Sequence, residues 1–287
     1  MPRWVSKALA VGPGLLVSTV LSWMVGAVLP PAAGLALFVG GLAMMVLLLC
    51  GRGESAVARV LYRAHPLTQS ERAMLAPAVT LLCRNALGPP LVRLWICSGD
   101  THIAAQPAGR HTVLIAQGVL DAVEDGQLTQ GMAVAIIGHP AALVRDGWTR
   151  NDLAITFWSL PWLALKALAG GIAQGFGRLP FVALGWRLRL VVAAVAVVQA
   201  CQQGVPWMAV FLAALAALTY LIPVWERRWQ TVELLAGDRA LVEADLGAEW
   251  ASVLNTQAPC PLNRRRLSAV TTRQPHPSRL ASVRPHS

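Results

Sequence analysis

The sequence predicts a polytopic, mainly α-helical membrane protein that carries a small α+β domain. Three observations predict it. The 287 residues are 55% hydrophobic and only 13% charged, with a mean hydropathy of +0.54, whereas soluble domains carry about 25% charged residues. Two uncharged apolar runs, 9–29 and 32–50, stand at the N-terminus with Pro30-Pro31 near their junction. Each approaches the roughly 20 residues needed to cross about 30 Å of hydrocarbon. The stretch 51–150 is more polar and mixes helical with strand-like patterning, and apolar runs return after it.

Residues 1–50 form the expected transmembrane hairpin. A cleaved signal peptide is the competing reading of the first run, but a second run follows at once and no small-residue cleavage site stands out. Arg3 and Lys7 precede the first span, while Arg52, Arg59 and Arg63 follow the second. Basic residues stay on the cytoplasmic side, so both ends of the hairpin and the polar domain are expected in the cytoplasm, at the plasma membrane.

Within 51–150, "LTQSERAMLAPAVTLLCRNAL" (67–87) has Thr68 or Ser70 as N-cap. Its apolar face of Leu75, Val79 and Leu82 has helical spacing. "LVRLWICS" and "HTVLIAQ" are short and β-branched, and read as a strand pair separated by "GDTHIAAQPAG". "GVLDAVEDGQLTQGMAVAIIGH" reads as helix with a break at Asp125-Gly126.

Residues 151–225 hold three further apolar stretches: 152–177, interrupted by Pro161 and Lys166; the short 190–201; and 206–225, with Trp207 and Trp225 at its ends. A chain that returns to the cytoplasm at Arg227-Arg228 must cross an even number of times after residue 150. Two of the three are therefore expected to cross, 206–225 first among them. "GGIAQG" (170–175) suits either close helix packing or a loop.

Residues 226–287 read as a charged helix followed by a basic tail. From 250 onward there is no acidic residue, and Arg264, Arg265, Arg266, Arg273, Arg279 and Arg284 supply more than half of the formal +10. The proline- and serine-containing end is expected to lack regular structure. Such a segment beside a membrane favours anionic lipid headgroups. It has neither motif nor aromatic interleaving for nucleic acid, so nucleic acid is not an expected partner. The five cysteines are odd in number, scattered and without a C-x-x-C pair, which argues against a disulfide framework or a thiolate zinc site. Reduced, mostly buried thiols are expected.

The stretch "VAIIGHPAALVRDG" (134–147) carries the functional question. Together with "GRHTVLIAQGVLDAV" (109–123), "GQLTQGMAVAIIGHPAAL" (126–143), "ERRWQTVELLAGDRALVEADLG" (226–247) and "HPSRL" (276–280), it resembles the HtpX-type integral-membrane zinc metallopeptidases. That is the gluzincin group that also contains the CAAX prenyl proteases. The likeness follows the order of the chain over most of its length, and it implies a metallopeptidase-like domain with a metal helix at 127–143.

In the H-E-x-x-H motif of such enzymes, two histidines one helical turn apart bind zinc, and the intervening glutamate takes a proton from the metal-bound water. His139 matches the first ligand. Pro140 stands in place of the general base and Leu143 in place of the second ligand, so the resemblance implies a degenerate motif and zinc that is absent or weakly held. In the E-x-x-A-D pattern of the third ligand, Glu233 fits, but Gly237 takes the aspartate's place and Asp238 comes one residue late. One residue is about 100° around a helix, so Asp238 is expected to point elsewhere unless Gly237 bulges the chain.

Proline inside a helix costs about 3 kcal/mol, so the helix is expected to kink or end at His139-Pro140. Glu233 is thus a relic-ligand candidate, with an ordinary exposed helical glutamate as the alternative. Asp238 and His276 are candidates for supporting roles. His102, His111 and Asp146 are available for a rebuilt site, but no spacing among them signals metal.

Three functions remain open at this level. One is a catalytically impaired metallopeptidase relative that binds membrane-protein segments or peptides, or regulates, at the bilayer. The second is an active zinc endopeptidase with a divergent site. The third is a structural membrane protein with only architectural likeness.

Overall fold

The structure, a computed structural model, describes residues 3–88, 92–176 and 180–273. It is mainly helical with one small sheet. The elements in chain order are α1 (Arg3–Val28), α2 (Pro31–Leu49), α3 (Glu54–Leu61), β1 (Ala64–Pro66), α4 (Gln69–Arg84), β2 (Arg93–Cys97), β3 (Ala105–Ala108), β4 (Thr112–Ala116), α5 (Gln117–Glu124), α6 (Gln130–Arg145), α7 (Asp152–Trp158), α8 (Leu160–Phe176), α9 (Pro180–Gln202), α10 (Pro206–Glu243), α11 (Gly247–Thr256) and α12 (Pro261–Arg273). The chain divides into two compact units. One comprises residues 1–46 and 154–230, and the other residues 47–153 and 231–287.

The first unit contains helices that expose much apolar side-chain surface, such as Val39 at 53% and Val210 at 70%. Among the described residues, α1, α2 and α10 are long and apolar enough to cross a membrane, and Leu190–Gln202 within α9 is a shorter apolar run. Pro31 opens α2 at the first helical position, where a missing N–H costs nothing. A Cβ on Gly34 would strike the backbone oxygen of Gly26, so glycine is what lets α1 and α2 approach so closely.

On α8, Trp162 packs 3.0 Å from where a Cβ on Gly14 would lie, and its backbone N–H donates to the buried Ser18 Oγ at 3.1 Å. Lys166, the charge that interrupts this apolar stretch, donates to Glu226 at 3.3 Å. "GGIAQG" is helical, which removes the loop reading. Among the described residues, a Cβ on Gly170 or Gly171 would meet nothing within 4 Å.

The second unit is built on a sheet of order β1-β2-β4-β3. The expected strand pair is present, parallel, with Arg93–Cys97 in register with Thr112–Ala116. Two short strands were not anticipated: β1 pairs antiparallel with β2, and β3 with β4. Each of these outer strands contains a proline, Pro66 or Pro107, as strands at a sheet border tolerate. Strand β4 is buried along its whole length. Val113 and Ile115 join the main core with α4, α5 and α6, while Leu114 joins a second cluster with Ala58 of α3, Trp95 and Leu153.

Helix α4 starts at Thr68 with a complete capping box. The Thr68 side chain accepts from the Glu71 N–H, and the Glu71 carboxylate accepts from the Thr68 N–H at 2.7 Å. Leu75 and Leu82 of its apolar face are buried. The break at Asp125-Gly126 is present as well, with Gly126 at φ +70°.

Helix α6 does not end at His139-Pro140 but runs on to Arg145. Every residue from Ala133 to Val144 is buried. Seating Val134, Ile137, Leu143 and Val144 is worth about 1.5–3 kcal/mol each, which outweighs the roughly 3 kcal/mol cost of the proline. Helix α10 likewise continues through Pro223, joining the apolar 206–225 stretch and the charged 226–243 stretch in one element.

The cysteine expectation also needs correction. Only Cys97 is buried, whereas Cys50, Cys83 and Cys201 are exposed and Cys260 is intermediate. Burial, and then nearby Asp100, push the Cys97 thiol up from its usual value.

Candidate functional site

Four helices of the second unit bring their side chains together at His139. Helix α6 presents the histidine, α10 presents Asp238, α11 presents Trp250 and α12 presents Arg266. All four residues are buried, at 7%, 2%, 6% and 5% exposure.

The local sequence explains each placement. His139 sits in the fully buried run of α6. Position 237 is glycine because a Cβ there would overlap the imidazole, 2.6 Å from Cε1. That absence of a side chain lets α10 lie against the ring. Asp238 therefore faces His139 without any break in α10, which overturns the expectation that it points elsewhere. On α12, Arg266 lies one turn from Leu262 and one turn from the buried Val270, so the helical period aims it inward while Arg264 and Arg265 stay exposed.

The geometry is that of a charged knot. Arg266 grips Asp238 with two bonds, Nε to Oδ2 at 2.9 Å and Nη2 to Oδ1 at 2.7 Å. Trp250 Nε1 donates to Oδ1 at 2.8 Å. His139 Nε2 lies 3.2 Å from Asp238 Oδ1 and 3.1 Å from the Leu234 carbonyl oxygen. Both are acceptors and favour a proton on Nε2, against the Arg266 Nη2 donor at the longer distance of 3.4 Å. The Trp250 indole stacks on the imidazole with ring centroids 5.0 Å apart, and the Arg266 guanidinium lies 5.4 Å from the same indole. Burial alone would raise the Asp238 pKa. The hydrogen bonds from Arg266 and His139, with their charges, outweigh it and bring it from 3.8 down to about 2. Asp238 lies beyond the apolar 206–225 stretch of α10.

This donor set does not suit zinc, which asks for three or four lone pairs at about 2.0–2.3 Å. The Nε2 lone pair is absent when that nitrogen carries the proton. Asp238 is saturated by Arg266 and Trp250. Arg266 Nη2 stands 3.4 Å from Nε2, so a permanent cation already occupies the space in front of the ring. Leu143, one turn after His139, is buried and offers no donor. Among the described residues, no cluster of three or more His, Cys, Asp or Glu is placed to hold a metal.

The remaining sequence candidates lie as follows. Glu233 is half-buried on α10, immediately before Leu234. His102 and His111 are exposed. Asp146 is exposed at the end of α6 and accepts from Arg145 Nε at 2.8 Å. His276 lies outside the described residues. Sequence reasoning missed Trp250 and Arg266. The signal for Arg266 is the Leu262–Arg266–Val270 stripe, which marks one member of the arginine run as inward-facing and in need of a buried acid.

No protein-family model, no curated protein and no solved structure matches this chain.

Proposed function

We propose that the chain is an integral-membrane protein whose metallopeptidase-like cytoplasmic domain binds or regulates rather than hydrolyses. The observation that carries this reading is the position of Arg266. Its guanidinium sits against His139 and Asp238, where a hydrolase would need a divalent ion and a free carboxylate. Pro140, in place of a general base, adds to it.

Three helices of spanning length support the membrane assignment. In this reading the N-terminus, the second unit and the C-terminus face the cytoplasm. A second late crossing, in 152–177 or 190–203, accompanies that of 206–225. Membrane-protein segments or peptides are the clients, and the exposed arginines of the C-terminal region meet anionic headgroups.

The test is a metal and activity measurement on the full chain purified in mild detergent. The expected result is sub-stoichiometric zinc and no chelator-sensitive cleavage of casein. Stoichiometric zinc together with chelator-sensitive cleavage overturns the proposal.

A further inference from the structure

Helix α3 begins five residues after the end of α2, so it lies within roughly 18 Å of that end even for a fully extended link. The link is a turn rather than an extended segment, with Gly51 at φ +75° and Gly53 at φ +89°. Arg110 closes it. Its Nη2 donates to the Leu49 carbonyl at the C-terminus of α2, and its backbone N–H donates to Glu54 Oε1 at 2.7 Å.

The inner face of α3 is committed. Ala58 is buried against Trp95, Leu114 and Leu153. Glu54 is 4% exposed and also accepts from Thr112 Oγ1 at 3.1 Å. The only acid of the helix is thus turned inward. The opposite face carries Ala56, Arg59 and Val60, all exposed, with Val60 at 83%. Arg52 and Arg63, both exposed, flank it at either end, and Arg59 is steadied over the Trp95 ring at 5.4 Å.

We infer that this face of α3 docks on the bilayer surface, with Val60 entering the interface and Arg52, Arg59 and Arg63 holding phosphate groups of anionic lipids. Three features choose the occupant. The face is tethered next to a helix of spanning length, its exposed charge is uniformly positive, and its apolar centre suits a layer that is polar above and hydrocarbon below. The inference rests on the membrane reading above, and the experiment separates the two.

Nitroxide labels are placed at Val39→Cys in α2 and at Val60→Cys, each in full-length protein lacking its native cysteines. The proteins are reconstituted into phosphatidylcholine vesicles with a minor fraction of phosphatidylglycerol, and collision with oxygen is compared with collision with a water-soluble nickel chelate. Both labels are expected to favour oxygen. At Val60 the ratio of shielded to exposed label should fall about fivefold for each arginine changed to glutamine. The same label in phosphatidylcholine alone provides a second route to release with no substitution. A Val39 label open to the chelate overturns the membrane reading and this inference with it. A shielded Val39 beside a Val60 label that stays open to the chelate in both lipids overturns the inference alone.

Discussion

Replacing Arg266 with methionine removes two of the four donors around the Asp238 carboxylate within the charged knot, leaving Trp250 Nε1 and His139 Nε2 near Oδ1. Breaking a buried pair by deleting one partner costs roughly 3–5 kcal/mol, because the other charge stays buried. Folded domains are held by about 5–15 kcal/mol in total, so the loss should be large. Urea titration in mild detergent, read by hydrogen-exchange protection around Leu241 and Val270, measures it. The double change Arg266→Met with Asp238→Leu removes both charges and should recover much of the loss. The pH response gives an independent sign. Without the guanidinium, burial is less opposed and the Asp238 pKa rises, so the variant should regain stability as pH falls. A loss below about 1 kcal/mol, the range of solvated surface pairs, with no recovery in the double variant, would refute the buried-knot reasoning.

The wild-type protein should show the opposite pH dependence. Its folded-state Asp238 pKa lies near 2 against 3.8 for the free group, so the native state gains about 2 kcal/mol from it. That gain is complete above pH 4 and lost as acid takes the pH down to about 2, which acid titration of hydrogen-exchange protection would reveal. Gly237→Ala should destabilise the second unit by about 1–3 kcal/mol through overpacking against the imidazole, despite the better helix propensity of alanine. An unchanged thermal midpoint would mean that α10 can move away from the ring. Thr68→Ala should cost about 1 kcal/mol by removing the capping box of α4, with hydrogen exchange rising first in the turn that contains Glu71.

Local signals in the sequence were strong enough to place α4 with its cap, the β2 and β4 strands, and the stop at Asp125-Gly126. Each rests on a few neighbouring residues. Strands β1 and β3 were not legible, because "AHP" and "AQPA" lack the β-branched pattern and owe their conformation to the neighbours they pair with. Pro140 misled for the converse reason: intrinsic propensity argues for a stop, and burial on every side of α6 overrides it. At the site, His139 is legible from its setting and Asp238 as a supporting candidate, but Trp250 and Arg266 are not. For Asp238, helical phase relative to Glu233 gives the direction wrongly, because the relevant direction is the one towards α6. Arg266 was read within a run of three arginines, and only the packing of α12 separates it from the other two.

The prolines in β1 and β3 have a consequence for assembly. Each outer strand of the sheet contains one residue without a backbone N–H, a composition that disfavours pairing with an extended foreign segment. Growth of the sheet from chain to chain is thereby disfavoured at both outer strands.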